Sequence, residues 1–559
     1  MTRLGGGRSW ADGPMRRSSM SRGGAPIGRF ILLAIVAIAV VLIAIVGYSA
    51  VFGGGESCNE TYCESSSGIP IPAGFASFSE VYERNLSADP LPEGFDLQIT
   101  IPLTAATGDN RNLSFYGYDA TTGLWQPLAS AVLDETGTQA TGLFADPPRY
   151  LAVLRRLNEG GHVVAYLEPG ATLHPRAVAH VTIVHTFDFT PLADGTLAGE
   201  LSTPPATEAA HYPVLSASAE LPDTVPNLAA ILATGAERSN HVRQILQHVA
   251  AVRIAGIDIA YLELRADQRT SFTLFVAELA DGLHAEGKTL TLTLPAPVKA
   301  PDGIDEGAYD WASLGRAADV LKIAPVRDQG TYRLEMPDVL EHLVSLVEPS
   351  KLVLTVTPYA SEKSADGLRR LSLTEAMTIA SKLAIRSESV VAGGEIEIVG
   401  INIDREEGLS GLRWRPETAT VAFTYKLNGG RTVWIENVFS VGFKLEFVSD
   451  FGLGGFAVED ASENIFLGDI WGAIEPFVET GQPVLLQPNP GDLLPRWAAT
   501  GGSLQGGDGG LVTWQTPDEP GTYTVTLSLS EGVYRFENEV TLALQPPAAV
   551  EDETAPRVP

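Results

Sequence analysis

Cysteine is nearly absent: Cys58 and Cys63, in the run CNETYC, are the only two in 559 residues. Two thiols with no adjacent histidine do not complete a tetrahedral metal shell. A disulfide between them, plausible outside the cytoplasm, would close a loop too small to stabilise distant domains. Basic residues are also scarce, 38 Lys and Arg against 68 Asp and Glu. The formal charge of −30 argues against nucleic acid as a partner, because a polyanion needs a basic surface. No G-x-S-x-G elbow occurs, and no phosphate-binding loop. The stretch GGSLQGGDGG (501–510) is Gly-rich but lacks the lysine and helix of such a loop, so it reads as a turn. His162, His174, His180 and His185 fall near two expected strands, but the odd spacing of His180 and His185 sends them to opposite faces. No metal and no cofactor are expected.

What is present begins with one long apolar run. FILLAIVAIAVVLIAIVGYSAVF, Phe30 to Phe52, carries no charge and is long enough to span ~30 Å of hydrocarbon as a helix. Before it stand Arg3, Arg8, Arg16, Arg17, Arg22 and Arg29 against the single acid Asp12, a net of five positive charges. The expectation is a cytoplasmic basic tail (1–29), a single-pass membrane helix (30–52), a linker (53–74) and an extracellular remainder at the cell membrane.

Short alternating runs such as DLQITIPL, NLSFYGYD and RYLAVLRR, broken by TGDN, TTG and ETGT, predict a small β-sandwich over 75–157. From 162 to 478 strands alternate with helices. HVVAYLEP, AHVTIVHTFDF, HYPVLSASA, GIDIAYLEL and KTLTLTLPAP read as strands, and TSFTLFVAELADGLHAEG as an amphipathic helix ending at Gly287. Repeated β-then-α units predict a parallel barrel with outer helices. The rhythm breaks at 371–425, where EIEIVGINI and TATVAFTYKL suggest an α+β insertion. A second sandwich is expected over 482–546, followed by a disordered tail, 547–559. Its step PDEPGTYTVTLSLS is similar to bacterial PKD or immunoglobulin-like domains.

Three stretches of the barrel region carry a more specific likeness. AGIDIAYLE resembles the fourth-strand signature D-G-x-D-x-D-x-E of family-18 glycoside hydrolases, the chitinase family, including its spore and peptidoglycan-associated members. VEPSKLVLTVTPYA is similar to the segment leading into that family's seventh strand. TVWIENVFSVGFKLEFVSDFGLGGFAVED is similar to its closing stretch, with a Ser, a Lys-bearing helix and a Gly-Gly strand. The resemblance implies a (β/α)8 TIM barrel, and a chemistry in which one carboxylic acid protonates the leaving oxygen while the substrate's acetamido group is the nucleophile. That chemistry departs from the two-carboxylate scheme.

The register departs from the signature. With Gly256 aligned, the first Asp is Ala255, the second is kept as Asp258, the third is Ala260 and the acid is Leu262. Alternation sends 258, 260 and 262 into the barrel and Glu263 away from it, so Glu263 could act only through a β-bulge at Tyr261 or Leu262. After the sixth strand, Val326 and Arg327 replace the family's Tyr-Asp pair, and Asp328 falls one residue late. Glu459 stands where the family has its pocket-floor Trp. Loss of a proton donor removes about 10²–10⁴-fold in rate. The expected protein is a membrane-anchored surface pseudoenzyme that binds carbohydrate, a peptidoglycan- or chitin-like polymer, or acts as an envelope scaffold. One alternative is an active glycosidase on N-acetylhexosamine polymers using Glu263; another is a purely structural spacer. Asp258, Tyr166, Tyr261, Tyr359, Asp328 and Glu459 are the remaining candidate contacts for a sugar, which stacks apolar faces on aromatic rings.

Overall fold

The computed structural model describes residues 61–71, 75–85, 97–107, 113–144, 147–156, 161–205, 207–252, 254–387, 389–403, 411–507 and 509–547. The apolar run 30–52, its basic flank, Cys58 and the tail beyond 547 lie outside them. Cys63 is disulfide-bonded. Among the described residues no helix is long and apolar enough to cross a membrane.

The chain forms two compact units, residues 1–66 with 82–91, and residues 67–81 with 92–559. In the first, Tyr62–Glu64 pairs antiparallel with Tyr82–Arg84. All other described elements belong to the second.

Residues 75–156 build two antiparallel sheets. One joins Phe75–Ser77, Tyr150–Arg156, Leu113–Asp119 and Leu124–Ser130; the other joins Leu97–Pro102, Gln139–Phe144 and Val132–Leu133. Alternation puts Ile99, Ile101, Phe115 and Phe144 inside, with Phe115 and Phe144 edge to face at 5.2 Å.

Eight parallel strands follow: β1 (His162–Leu167), β2 (Ile183–Thr186), β3 (Val214–Ala217), β4 (Gly256–Tyr261), β5 (Thr289–Leu294), β6 (Val320–Ile323), β7 (Leu352–Val356) and β8 (Gly455–Val458). The ladders run β3-β4-β5-β6-β7-β8-β1-β2, and β2 also pairs with Ala210–His211, just ahead of β3. The sheet is therefore barrel-like. Gly455 permits the close pairing of β8 with β1: φ is +149°, and a Cβ there would meet the His162 carbonyl at 2.1 Å.

Pleat sorts the strand residues into two sets. Outward, Ile257, Ile259, Leu290, Leu292, Leu321 and Leu354 meet the helices α1 (Thr224–Ile231), α2 (Gly235–Val252), α3 (Arg269–Ala285), α4 (Trp311–Ala317) and α5 (Gln329–Leu346). In α3 the buried Phe272, Phe275, Val276, Leu279 and Leu283 recur at helical spacing, and Gly287 in the left-handed region follows its end. Inward, Val164, Tyr166, Val214, Ala260, Val320, Val353 and Ala457 form a narrow second cluster.

Between β7 and β8 the chain leaves the barrel. Ala360–Ser364, Gly367–Leu371, Gly430–Ile435, Thr420–Lys426 and Arg413–Arg415 make a five-stranded antiparallel sheet. It packs on α6 (Leu373–Ala380), which opens with a capping box of Ser372 and Glu375. Two strands of the same excursion, Leu383–Ile385 and Glu395–Gly400, pair elsewhere. Glu395–Gly400 joins Leu511–Gln515, which joins Ser503–Gly506. This four-stranded sheet faces a three-stranded one, Arg496–Ala499, Gly521–Ser530 and Arg535–Leu544, across Ile396, Ile398, Trp514, Val525 and Leu544. The sandwich expected over 482–546 is thus built from two separate stretches, 383–400 and 496–544. The chain returns through α7 (Val438–Asp450) to β8, and α8 (Trp471–Thr480) follows.

The turn after Gly521–Ser530 docks on α7: a Cβ on Gly532 (φ +106°) would meet the Phe439 ring at 2.7 Å. Beside it Glu531 is fully buried, its carboxylate accepting from the Val533 and Tyr534 amides at 2.6 and 3.0 Å. Burial, with repulsion from Asp469, pushes its pKa up to about 7. The folded state therefore holds this proton more tightly than the unfolded chain, so the contribution is full below the ordinary carboxylate pKa and lost as pH rises through about 7. Glu531→Gln should flatten the fall of Tm between acidic and mildly alkaline pH, a difference of up to about 3 kcal/mol in chemical denaturation. An unchanged pH profile would refute this.

Candidate functional site

Asp258 sits inside the barrel on β4 and is 0% exposed. Its Oδ1 accepts from Thr291 Oγ1 at 2.7 Å and from Lys322 Nζ at 2.8 Å, and its Oδ2 from Thr293 Oγ1 at 2.7 Å. Thr291 and Thr293 point inward from β5, and Lys322 points inward from β6 beside Val320. Lys322 is likewise 0% exposed. Burial opposes the carboxylate, but Lys322, His185 and the hydroxyls outweigh it and hold Asp258 below its ordinary pKa. Tyr166 OH lies 2.5 Å from Thr293 Oγ1, and its ring stacks on Phe187 at 5.6 Å. His185 donates from Nδ1 to the Tyr212 carbonyl at 2.8 Å, and burial pushes its pKa down to about 3. The network Tyr166–Thr293–Asp258–Lys322 is buried: it holds a carboxylate charged, away from solvent, with both of its oxygens hydrogen-bonded.

Tyr261 does not reach the mouth. It stands on the outer face of β4 between Phe272 and Phe275, and its hydroxyl donates to His241 Nε2 at 2.6 Å. Its odd place in the strand dictates this. No bulge rescues Glu263: β4 pairs with β3 in unbroken register from Asp258 to Tyr261, and the Leu262 amide extends it to the Ala217 carbonyl at 2.9 Å. Glu263 is exposed beyond the strand.

The carboxyl ends of the strands form the face where barrels of this architecture place their chemistry. Here that face is spanned by ion pairs. Arg327, after β6, donates from both terminal nitrogens to Glu459, after β8. Arg370, from the excursion, reaches Glu459 at 3.4 Å and Glu220, after β3, at 3.8 Å. Its guanidinium lies over the Tyr359 ring at 4.5 Å, and Tyr359 OH donates to Asp460 at 2.6 Å. Asp328 caps α5, accepting from the Gly330 amide at 3.0 Å, and pairs with Lys363 at 2.6 Å. So Tyr359, Glu459 and Asp328 gather at the mouth, Tyr166 and Asp258 lie below it, and Tyr261 and Glu263 belong to neither set.

Sequence reasoning missed Lys322, whose only signal was a lysine inside VLKI, and Arg370, in an excursion with no barrel rhythm. It also missed Ile465 and Phe466, 86% and 54% exposed on the loop after β8. That loop is pinned: the Glu463 amide donates to the Thr172 carbonyl and the Phe466 carbonyl accepts from the Thr374 amide. A groove of about 320 Å³ lies instead between α2 and α3, lined by Val242, Leu246, Ala250 and Glu278, and gathers none of these residues. Among the described residues no group of three or more His, Cys, Asp or Glu could hold a metal ion.

Residues 223–463 match the family model for glycosyl hydrolases family 18. The match begins after β3, so three strands of the ring precede it. Di-N-acetylchitobiase of Rattus norvegicus is 22% identical over 265 residues, 43% of this chain and 71% of the relative. Among solved structures, a chitinase from Chromobacterium violaceum is 21% identical and covers 56% of this chain and 98% of its own, with TM-score 0.43. The spore cortex-lytic enzyme SleL of Bacillus megaterium is 16% identical and covers 60% and 77%, with TM-score 0.40. Over residues 223–463 the chain is therefore similar to family-18 glycosyl hydrolases, and its own strand order is barrel-like.

Proposed function

We propose that this domain recognises an N-acetylhexosamine polymer, chitin- or peptidoglycan-like, without hydrolysing it. The same reading places it at a cell surface, held by the run 30–52. The family match and the name of the rat relative support the ligand class. The observation that carries the silent reading is the strand end: Leu262 holds the proton donor's position, and the ladder continues past it without the bulge Glu263 would need. The retained Asp258 is bound to Lys322 inside the barrel rather than offered to a substrate. The pinned, exposed Phe466 supplies a ring for a sugar face, while the Tyr359 ring is covered on one side by Arg370.

The purified chain, incubated with chitohexaose and with peptidoglycan, should release no new reducing ends, and Glu263→Gln should leave binding of chitohexaose unchanged. Hydrolysis abolished by Glu263→Gln would establish the glycosidase alternative instead. Absence of both turnover and binding would leave the spacer.

A further inference from the structure

Two strands of the excursion form a hairpin beside the mouth. The inner strand, Ala360–Ser364, pairs with Gly430–Ile435 on one side and Gly367–Leu371 on the other. The outer strand, Gly367–Leu371, is therefore a sheet edge, exposed from Gly367 to Arg370 and buried only at Leu371. The inner strand is fixed from within: Glu362, 1% exposed, accepts from Tyr425 OH and Arg431 at 2.5 Å each, and Arg369 of the outer strand reaches it from the exposed side at 3.1 Å.

The outer strand's polar tie to the barrel is Arg370. Its guanidinium spans Glu459 after β8 and Glu220 after β3, from opposite parts of the ring, while resting on Tyr359. Lys363, near the turn, adds a contact to Asp328 after β6. These pairs are partly exposed; the side chains of Arg370, Lys363 and Glu220 are 36%, 51% and 71% accessible. Exposed pairs are individually weak and are screened by salt. Edge strands with few apolar anchors open at low cost.

We propose that Gly367–Leu371 is an ion-latched strap over the barrel mouth, held closed by Arg370 and released by ionic strength. The strap does not depend on what the barrel binds. Hydrogen exchange read by mass spectrometry on the full chain tests it. At about 0.05 M NaCl, Arg370→Met should raise exchange of peptides covering the strap, 367–371, about tenfold and leave β4 and β5 unchanged. Wild type at about 0.5 M NaCl should approach the variant's rate. Strap exchange that ignores both the substitution and the salt would overturn the proposal. Should the variant fail to fold, an unchanged wild-type rate between the two salts would overturn it alone.

Discussion

A chain ending after α8, at residue 481, should not yield a soluble, folded barrel, and residues 482–547 expressed alone should remain unfolded. Each fragment lacks strands the other supplies. Without Leu511–Gln515, the strand Glu395–Gly400 keeps only Leu383–Ile385 of its two hydrogen-bond partners, and Ile396 and Ile398, both 0% exposed, lose Val512 and Trp514. The excursion's own core also loses Leu493, Leu527 and Leu529. Each buried aliphatic side chain is worth about 1.5–3 kcal/mol. Five or six of them match the ~5–15 kcal/mol that holds a whole domain. An exposed apolar edge would in addition promote aggregation. Size-exclusion chromatography and circular dichroism of the two fragments decide the matter; a monomeric, cooperatively melting 482–547 would refute the two-stretch assembly.

Lys322→Met should cost about 3–5 kcal/mol, because it leaves the Asp258 charge buried without its cation. The pair itself is a different quantity. Replacing both, Lys322→Met with Asp258→Leu, removes two desolvation costs together, and should restore most of the loss. Urea denaturation of the single and double variants separates these cases. The pH dependence carries a second signature. Asp258 is held below its ordinary pKa, so its contribution is present at neutral pH and lost as pH falls from about 4 downward. The double variant should lack that part of the acid sensitivity. A single variant as stable as wild type would show that the lysine is not the carboxylate's counter-charge.

Pleat parity made much of the barrel legible. It placed Asp258 inward and Glu263 off the inner face, and applied to Tyr261 the same rule sends the ring to the helices. Lys322 shares that inward parity on β6, yet VLKI gives no hint which carboxylate it would meet, since β4 and β6 become neighbours only through β5. Arg370 was opaque for a related reason. Nothing in GLRRL distinguishes an arginine facing solvent from one reaching Glu459, 89 residues on. The sandwich shows the limit most plainly. EIEIVG and LVTWQ alternate equally well with any strand of matching pleat, and their pairing is decided by a shared core across a large sequence separation.

That separation has a consequence during synthesis. Residues 395–400 leave the ribosome about a hundred residues before Ser503–Gln515 emerge, and translation at ~5–20 residues per second makes that interval roughly 5–20 s. Meanwhile β8 is available to join β7 and β1. Until then Ile396 and Ile398 have only the hairpin with Leu383–Ile385 to cover them, and the nascent protein carries that apolar face uncovered.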